Sequence, residues 1–152
     1  MRVDYATVSP GALEAMRALE SYVARSGLER RLLHLIKLRA SQINGCAFCV
    51  DMHAREARAD GESEERLGLV AVWQDAPVFT ERERAALEWT EAVTRVAETR
   101  VPDEVFERVR RYFTEAELVA LTMAVVAING WNRLNVSFRV PPRGLGSGRS
   151  GA

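Results

Sequence analysis

The sequence predicts an all-α protein on two observations: apolar residues recur with helical spacing along most of its length, and no stretch alternates apolar with polar as a half-buried strand would. Start and stop signals divide that pattern into about seven helices. Ser9 followed by Pro10 reads as an N-cap with proline at the first helical position, opening a helix that runs to about Ser26 with Gly27 as its stop. Leu13, Met16, Leu19 and Val23 form its apolar face. The second helix, Glu29 to Ile43, carries Leu32, Leu33, Leu35, Ile36, Leu38 and Ile43 around more than half its circumference, the pattern of a deeply buried helix. Asn44 and Gly45 tolerate turn geometry that other residues resist, and they interrupt it.

A third helix begins at the cysteine motif and ends near Asp60 and Gly61, and Ser63 caps a fourth that stops before Pro77. Thr80 and Glu83 have the spacing of a capping box, in which each side chain satisfies a free backbone donor of the first turn. A fifth helix should therefore run from Glu81 to Glu98. Pro102 opens a short sixth, with Val105, Phe106 and Val109 turned inward. Thr114 and Glu117 repeat the capping box and open a long seventh, from Glu115 to Phe138, which Pro141 and Pro142 terminate. Gly130 within it implies the close approach of another helix. Residues 1–142 read as a single domain, and residues 143–152, rich in glycine and serine, as a disordered tail.

Composition narrows the function classes. With 152 residues the chain can bury a real core. Its 21 basic and 21 acidic side chains cancel, which leaves no electrostatic reason to expect nucleic acid or an anionic membrane as partner. No apolar segment follows Met1 as in a secretory signal, and the longest apolar run, Leu118 to Ile128, falls short of the roughly 20 residues that span a bilayer. The expected compartment is the cytoplasm. There, two cysteines separated by two residues serve catalysis or metal binding more readily than they form a structural staple.

Those cysteines are Cys46 and Cys49, and His53 follows. On a helix that starts just after Gly45, Cys49 lies roughly 60° and His53 about 20° around the axis from Cys46, so all three share one face. The cysteines occupy the first turn, where unpaired N–H groups and the positive end of the helix dipole favour a thiolate. Cβ atoms three residues apart on a helix are about 5 to 6 Å apart and a disulfide needs about 3.8 Å, so a modest tightening of the turn would close the bridge. His53, one turn beyond Cys49, can take its proton. The spacing thus supplies a nucleophile, a resolving thiol and a base. One thiolate can cleave a hydroperoxide, the sulfenic acid can condense with the other cysteine, and an external dithiol, thioredoxin-like or of lipoyl type, must then reduce the disulfide. No cofactor is required. Two other uses of the same residues stay open: a disulfide reductase or redox sensor without peroxidase activity, and a Cys2His2 metal site formed by Cys46, Cys49, His53 and His34. Trp73, Trp89, Trp131 and Phe48 read as packing residues, and Asn129 and Asn132 as helix-to-helix hydrogen-bond partners that could also line a pocket.

The run Leu35-Ile36-Lys37-Leu38-Arg39-Ala40-Ser41-Gln42-Ile43-Asn44-Gly45-Cys46-Ala47-Phe48-Cys49-Val50-Asp51-Met52-His53 strongly resembles the alkylhydroperoxidase D-like branch of the carboxymuconolactone decarboxylase superfamily. Phe79 to Leu87 and Ala127 to Asn135 also resemble segments of that branch. The resemblance implies an all-helical fold, a homo-oligomer (trimer or hexamer) and peroxidase or disulfide reductase chemistry, with Cys49 as the peroxidatic thiol and Cys46 as the resolving one. It also implies a proton relay through a glutamate twelve residues before the first cysteine. That position is His34 here, which can shuttle a proton but cannot supply a permanent negative charge. Lactone decarboxylation, the activity that names the superfamily, does not depend on a CxxC pair and is the least expected.

Overall fold

A computed structural model describes residues 1–143, so from Gly144 onward the tail expected at 143–152 lies outside the described residues. The described residues form nine α-helices and one 3-10 segment, with no strand among them. In chain order they are α1 (Tyr5–Val8), α2 (Pro10–Ala24), α3 (Arg30–Ile43), α4 (Ala47–Ala59), α5 (Glu64–Leu69), the 3-10 segment (Val70–Asp75), α6 (Glu81–Thr94), α7 (Val96–Thr99), α8 (Asp103–Val109) and α9 (Glu115–Phe138).

Helix α3 is the hub, packed against α4, α6 and α9. Leu35, Ile36 and Ala40 are fully buried on it, and Leu32, Leu33 and Leu38 nearly so. Burying one such side chain contributes about 1.5–3 kcal/mol, which is why a helix apolar around most of its girth takes the central place. One side of α3 joins Val23 of α2, Ala86 of α6, Val109 of α8 and Leu121, Ala124 and Val125 of α9 in the larger core. Its other side joins Ala57 of α4, Leu67 of α5, and Val70 and Trp73 of the 3-10 segment. A third, small cluster holds Ala40, Cys46, Cys49 and Ile128, with Phe48 and Trp131 packed against it.

Both capping boxes form, at Thr80 with Glu83 and at Thr114 with Glu117. Gly130 lets α9 approach α2 closely, for a Cβ built there would meet the Met16 methyl at 2.8 Å. Ser9 occupies the N-cap of α2, but its side chain makes no capping bond.

Three expectations need correction, and one element was not anticipated. The helix expected from Ser63 to Pro77 splits into α5 and the 3-10 segment, with non-helical backbone at Val72. The helix expected from Glu81 to Glu98 breaks at Arg95, because the Ala92 carbonyl that would accept from Val96 accepts from the Thr99 hydroxyl instead, at 2.7 Å. Phe106 is 40% exposed rather than inward: on so short a helix the buried stripe is Val105 with Val109 four residues on, and Phe106 falls beside it against Trp89. The single turn α1 has no counterpart in the sequence reading; Asp4 caps it by accepting from Thr7 N and from the Thr7 hydroxyl.

The junction of α3 with α4 positions the site. Gly45 N–H donates to Gln42 O at 3.2 Å and Cys46 N–H to Ser41 O at 3.0 Å, the paired bonds of a Schellman motif. Gly45 has φ +65°, a conformation that costs an L-residue about 1–2 kcal/mol. Nothing lies within 4 Å of a Cβ added at Gly45, so a substitution there is penalised by backbone strain alone. Gly45→Ala should lower unfolding stability by about 1 kcal/mol, and Gly45→Asn by less, because asparagine tolerates this conformation. Urea unfolding midpoints at constant slope measure both.

Candidate active site

The turn that ends α3 sets Cys46 as the N-cap of α4, where its sulfur accepts a hydrogen bond from Cys49 N–H at 3.4 Å. The two cysteines are free thiols with sulfurs sharing a hydrogen bond of 2.7 Å. Only a small further approach separates that distance from the covalent S–S length of about 2.0 Å. Asn135 of α9 donates through Nδ2 to the Cys49 sulfur at 3.3 Å, and Tyr5 of α1 donates its hydroxyl to Asn135 Oδ1 at 2.9 Å. The N-terminal turn therefore lies over the dithiol from the α9 side.

Asn44 and Asn132 complete the polar frame. Asn44 Nδ2 donates to Asn129 Oδ1 at 3.0 Å and to Asn132 Oδ1 at 2.9 Å, and Asn132 Nδ2 donates to the Ser41 hydroxyl at 3.0 Å. These bonds tie α3 to α9 directly behind the thiols. They also answer the choice left open for Asn129 and Asn132: both join helices, and Asn132 additionally touches the Cys46 environment.

The thiols are electrostatically unequal. The hydrogen bond from Cys49 lowers the Cys46 pKa from its usual value to about 7; burial opposes this, and the Cys49 N–H, the Asn132 amide and the Phe48 N–H reinforce it. Cys49 moves the other way, held protonated first by its bond to Cys46 and then by burial, with Asn135 opposing. At neutral pH Cys46 is thus partly ionised, and its thiolate accepts from the Cys49 thiol. Both cysteines are buried, Cys46 at 2% exposure and Cys49 at 0%; Cys46 borders a cavity of about 440 Å³ that opens to solvent, and Cys49 does not line it.

His53 is buried on α4, and its Nδ1 lies 3.1 Å from Glu56 Oε2. With Nδ1 donating to that carboxylate, Nε2 carries the lone pair, and Nε2 is buried without a hydrogen-bond partner. The bond from His53 holds the Glu56 carboxyl below the usual carboxylate range, against burial and with help from the charges of His53, His34 and Lys37.

His34 does not join the thiols. It is buried rather than solvent-facing, and its Nε2 engages Asp60 Oδ2 at 2.5 Å, near the far end of α4. Asp60 is drawn below its usual range by that bond and by Arg30. Among the described residues no group of three or more His, Cys, Asp or Glu side chains is placed to hold a metal ion, so the Cys2His2 arrangement does not assemble. The sequence reading missed Tyr5 and Asn135. Asn135 left a signal, three residues beyond Asn132 on the same face of an apolar helix; Tyr5 left none, since only folding brings α1 to α9.

The chain belongs to the carboxymuconolactone decarboxylase family, whose model matches residues 10–92. It is 40% identical over 136 residues to the uncharacterized protein YdfG of Bacillus subtilis, covering 90% of this chain and 92% of that one. A solved structure from Agrobacterium tumefaciens, of a protein of unknown function carrying the name AhpD for antioxidant defence, is 56% identical with TM-score 0.91 over 93% of this chain and 97% of that one. The apo structure of the debrominase Bmp8 shares the fold alone, at 19% identity and TM-score 0.82 over 91% and 74% of the two chains. The fold expected from the resemblance is therefore the observed one. Among the described residues no helix is long and apolar enough to cross a membrane.

The electrostatic asymmetry predicts a pH profile. Alkylation of Cys46 by iodoacetamide, followed by peptide mass spectrometry, should rise with pH to a plateau with its midpoint near 7, while Cys49 stays unmodified. Cys49→Ala removes the donor and should move that midpoint upward. A profile centred on the ordinary thiol value in both proteins would remove the asymmetry.

Proposed function

We propose that the protein is a thiol peroxidase that reduces organic hydroperoxides or hydrogen peroxide through a Cys46–Cys49 dithiol/disulfide cycle. The observation that carries this reading is the pair of sulfurs 2.7 Å apart, of which Cys46 is favoured as thiolate and faces a solvent-connected cavity. The antioxidant association of the Agrobacterium relative supports it.

The assignment of roles differs from the one the resemblance implies. Cys46, not Cys49, is taken as the attacking thiol, because it is the more ionised and the one a substrate can reach. Its thiolate attacks the outer oxygen of the hydroperoxide: an S–O bond forms as the O–O bond breaks, and the leaving alkoxide takes a proton from water to become the alcohol. Sulfur loses two electrons and the peroxide gains them. His53 Nε2, which makes no hydrogen bond to Cys49 in the resting site, is assigned to receive the Cys49 proton once Cys46 is oxidised; the Cys49 sulfur attacks the Cys46 sulfenic sulfur, and the departing hydroxide takes the proton from His53 to leave as water. An external dithiol reduces the disulfide by exchange.

Glu56 serves here as the carboxylate that the resemblance places at position 34. It fixes the His53 tautomer and stabilises the imidazolium formed when Cys49 loses its proton, as an orienting acid does in other base-assisted nucleophilic sites. His34, bound to Asp60, is assigned to positioning α4 against α3.

Hydroperoxide consumption with a dithiol donor tests the cycle. Cys46→Ser should abolish consumption, and Cys49→Ser should allow one equivalent of peroxide to be consumed and then stop, with the sulfenic acid trapped by dimedone on Cys46. No consumption by the wild type, or dimedone found on Cys49 of the Cys46→Ser protein at the wild-type rate, would overturn the assignment. His53→Ala should slow disulfide closure after peroxide addition by about 10²- to 10⁴-fold. Glu56→Gln, which keeps the ring but loses the charge, should slow it less.

A further inference from the structure

The cavity on the solvent side of Cys46 is formed by the loop before α4, the last turn of α9, and residues on either flank of them. Its charged lining residues are Arg2 and Arg139; the other lining side chains, among them Asn135, Ser137 and Val140, are neutral. Neither Arg2 nor Arg139 has an acidic partner among the described residues, and what distinguishes them from the other unpaired arginines is that both border the cavity next to Cys46. Asp4, the nearest acid in sequence to Arg2, spends its carboxylate on capping α1.

The backbone strengthens the same sign of potential. The C-terminal end of a helix normally presents bare carbonyls and a negative field. Here the Phe138 carbonyl accepts from Arg2 N–H at 2.7 Å and the Ser137 carbonyl from the Arg2 guanidinium at 3.3 Å, while Arg139 N–H and Val140 N–H bond back to Val136 O and Asn135 O. The α9 end is thereby closed off. Across the cavity, the first turn of α4 contributes the positive end of its dipole at Gly45 and Ala47.

From this we infer that the Cys46 cavity selects substrates that carry a carboxylate or comparable anionic group, held by Arg2 and Arg139 while the reacting atom meets the sulfur. The inference rests on Cys46 as the attacking thiol in the reading above and names its substrate class. Arg2 and Arg139 act on the far end of the substrate, and their charge raises encounter and binding of anions over neutral analogues.

The decisive probe is a pair of alkylating agents that differ in charge and share one reaction: the Cys46 thiolate displaces iodide from the methylene carbon, forming the S–C bond. Second-order rates at Cys46 are measured with iodoacetate and with iodoacetamide, and their ratio is taken, because the thiolate fraction cancels from it. In the double variant Arg2→Gln/Arg139→Gln the iodoacetate-to-iodoacetamide ratio should fall about fivefold at low salt, and the wild-type ratio should fall toward that of the variant in concentrated salt. A ratio unchanged by the substitutions overturns the inference, whatever the peroxidase assay gives. A second arm compares the hydroperoxide of linoleic acid with that of its methyl ester, with kcat/KM expected to favour the free acid in the wild type and not in the variant. If neither hydroperoxide is consumed while the alkylation ratio shifts as stated, the peroxidase reading fails and the anion-selective cavity at Cys46 stands. If both are consumed equally well by the wild type, the substrate class is refuted and the peroxidase reading survives.

Discussion

The site depends on one backbone event, the left-handed turn at Gly45 that ends α3 and starts α4. Through it the Cys46 N–H is spent on closing α3, while the Cys46 sulfur becomes the cap of α4 and accepts the Cys49 N–H. A single residue thus terminates one helix with its main chain and opens the next with its side chain. The Cys49 thiol hydrogen bond is the largest cause of the lowered Cys46 pKa, and the N-cap position adds backbone N–H donors to a sulfur that accepts them.

Everything else around the thiols maintains the inequality this creates. Two groups bonded to each other in a buried space cannot both ionise easily, so one proton is retained, and the bond to Cys46 and burial favour its staying on Cys49. Asn44, Asn132 and Ser41 supply neutral hydrogen bonds that lock α3 to α9 without adding a competing charge. On the opposite side, the Glu56 carboxylate orients His53 and leaves its Nε2 free. His34 pairs with Asp60, and the carboxylate beside His53 is Glu56, which comes from α4 itself.

The fold shows the same division between local and distant causes. Helices α2, α6 and α9 begin where proline or capping boxes place them, whereas α3, which has no side-chain cap, is marked by its apolar periodicity. Errors fall where a local pattern was overruled: at Arg95, where a threonine hydroxyl captures a carbonyl, and at Val72, where the segment under α3 tightens into a 3-10 path to bury Val70 and Trp73.

From the sequence by itself came the all-helical class, the buried nature of α3, and the placing of Cys46, Cys49 and His53 on neighbouring positions of one helix start, because capping, periodicity and spacing are properties of contiguous residues. Only the tertiary structure decided that the two thiols are driven apart in acidity, that Cys46 rather than Cys49 borders a cavity, that Tyr5 and Asn135 attend the pair, and that Arg2 and Arg139 border that cavity. Those facts arise from contacts between residues more than a hundred positions apart, such as Tyr5 with Asn135, and between helices whose packing no single stretch encodes. Acidity and access are set by burial and by the sum of distant partners, so they become defined only when α1, α4 and α9 meet.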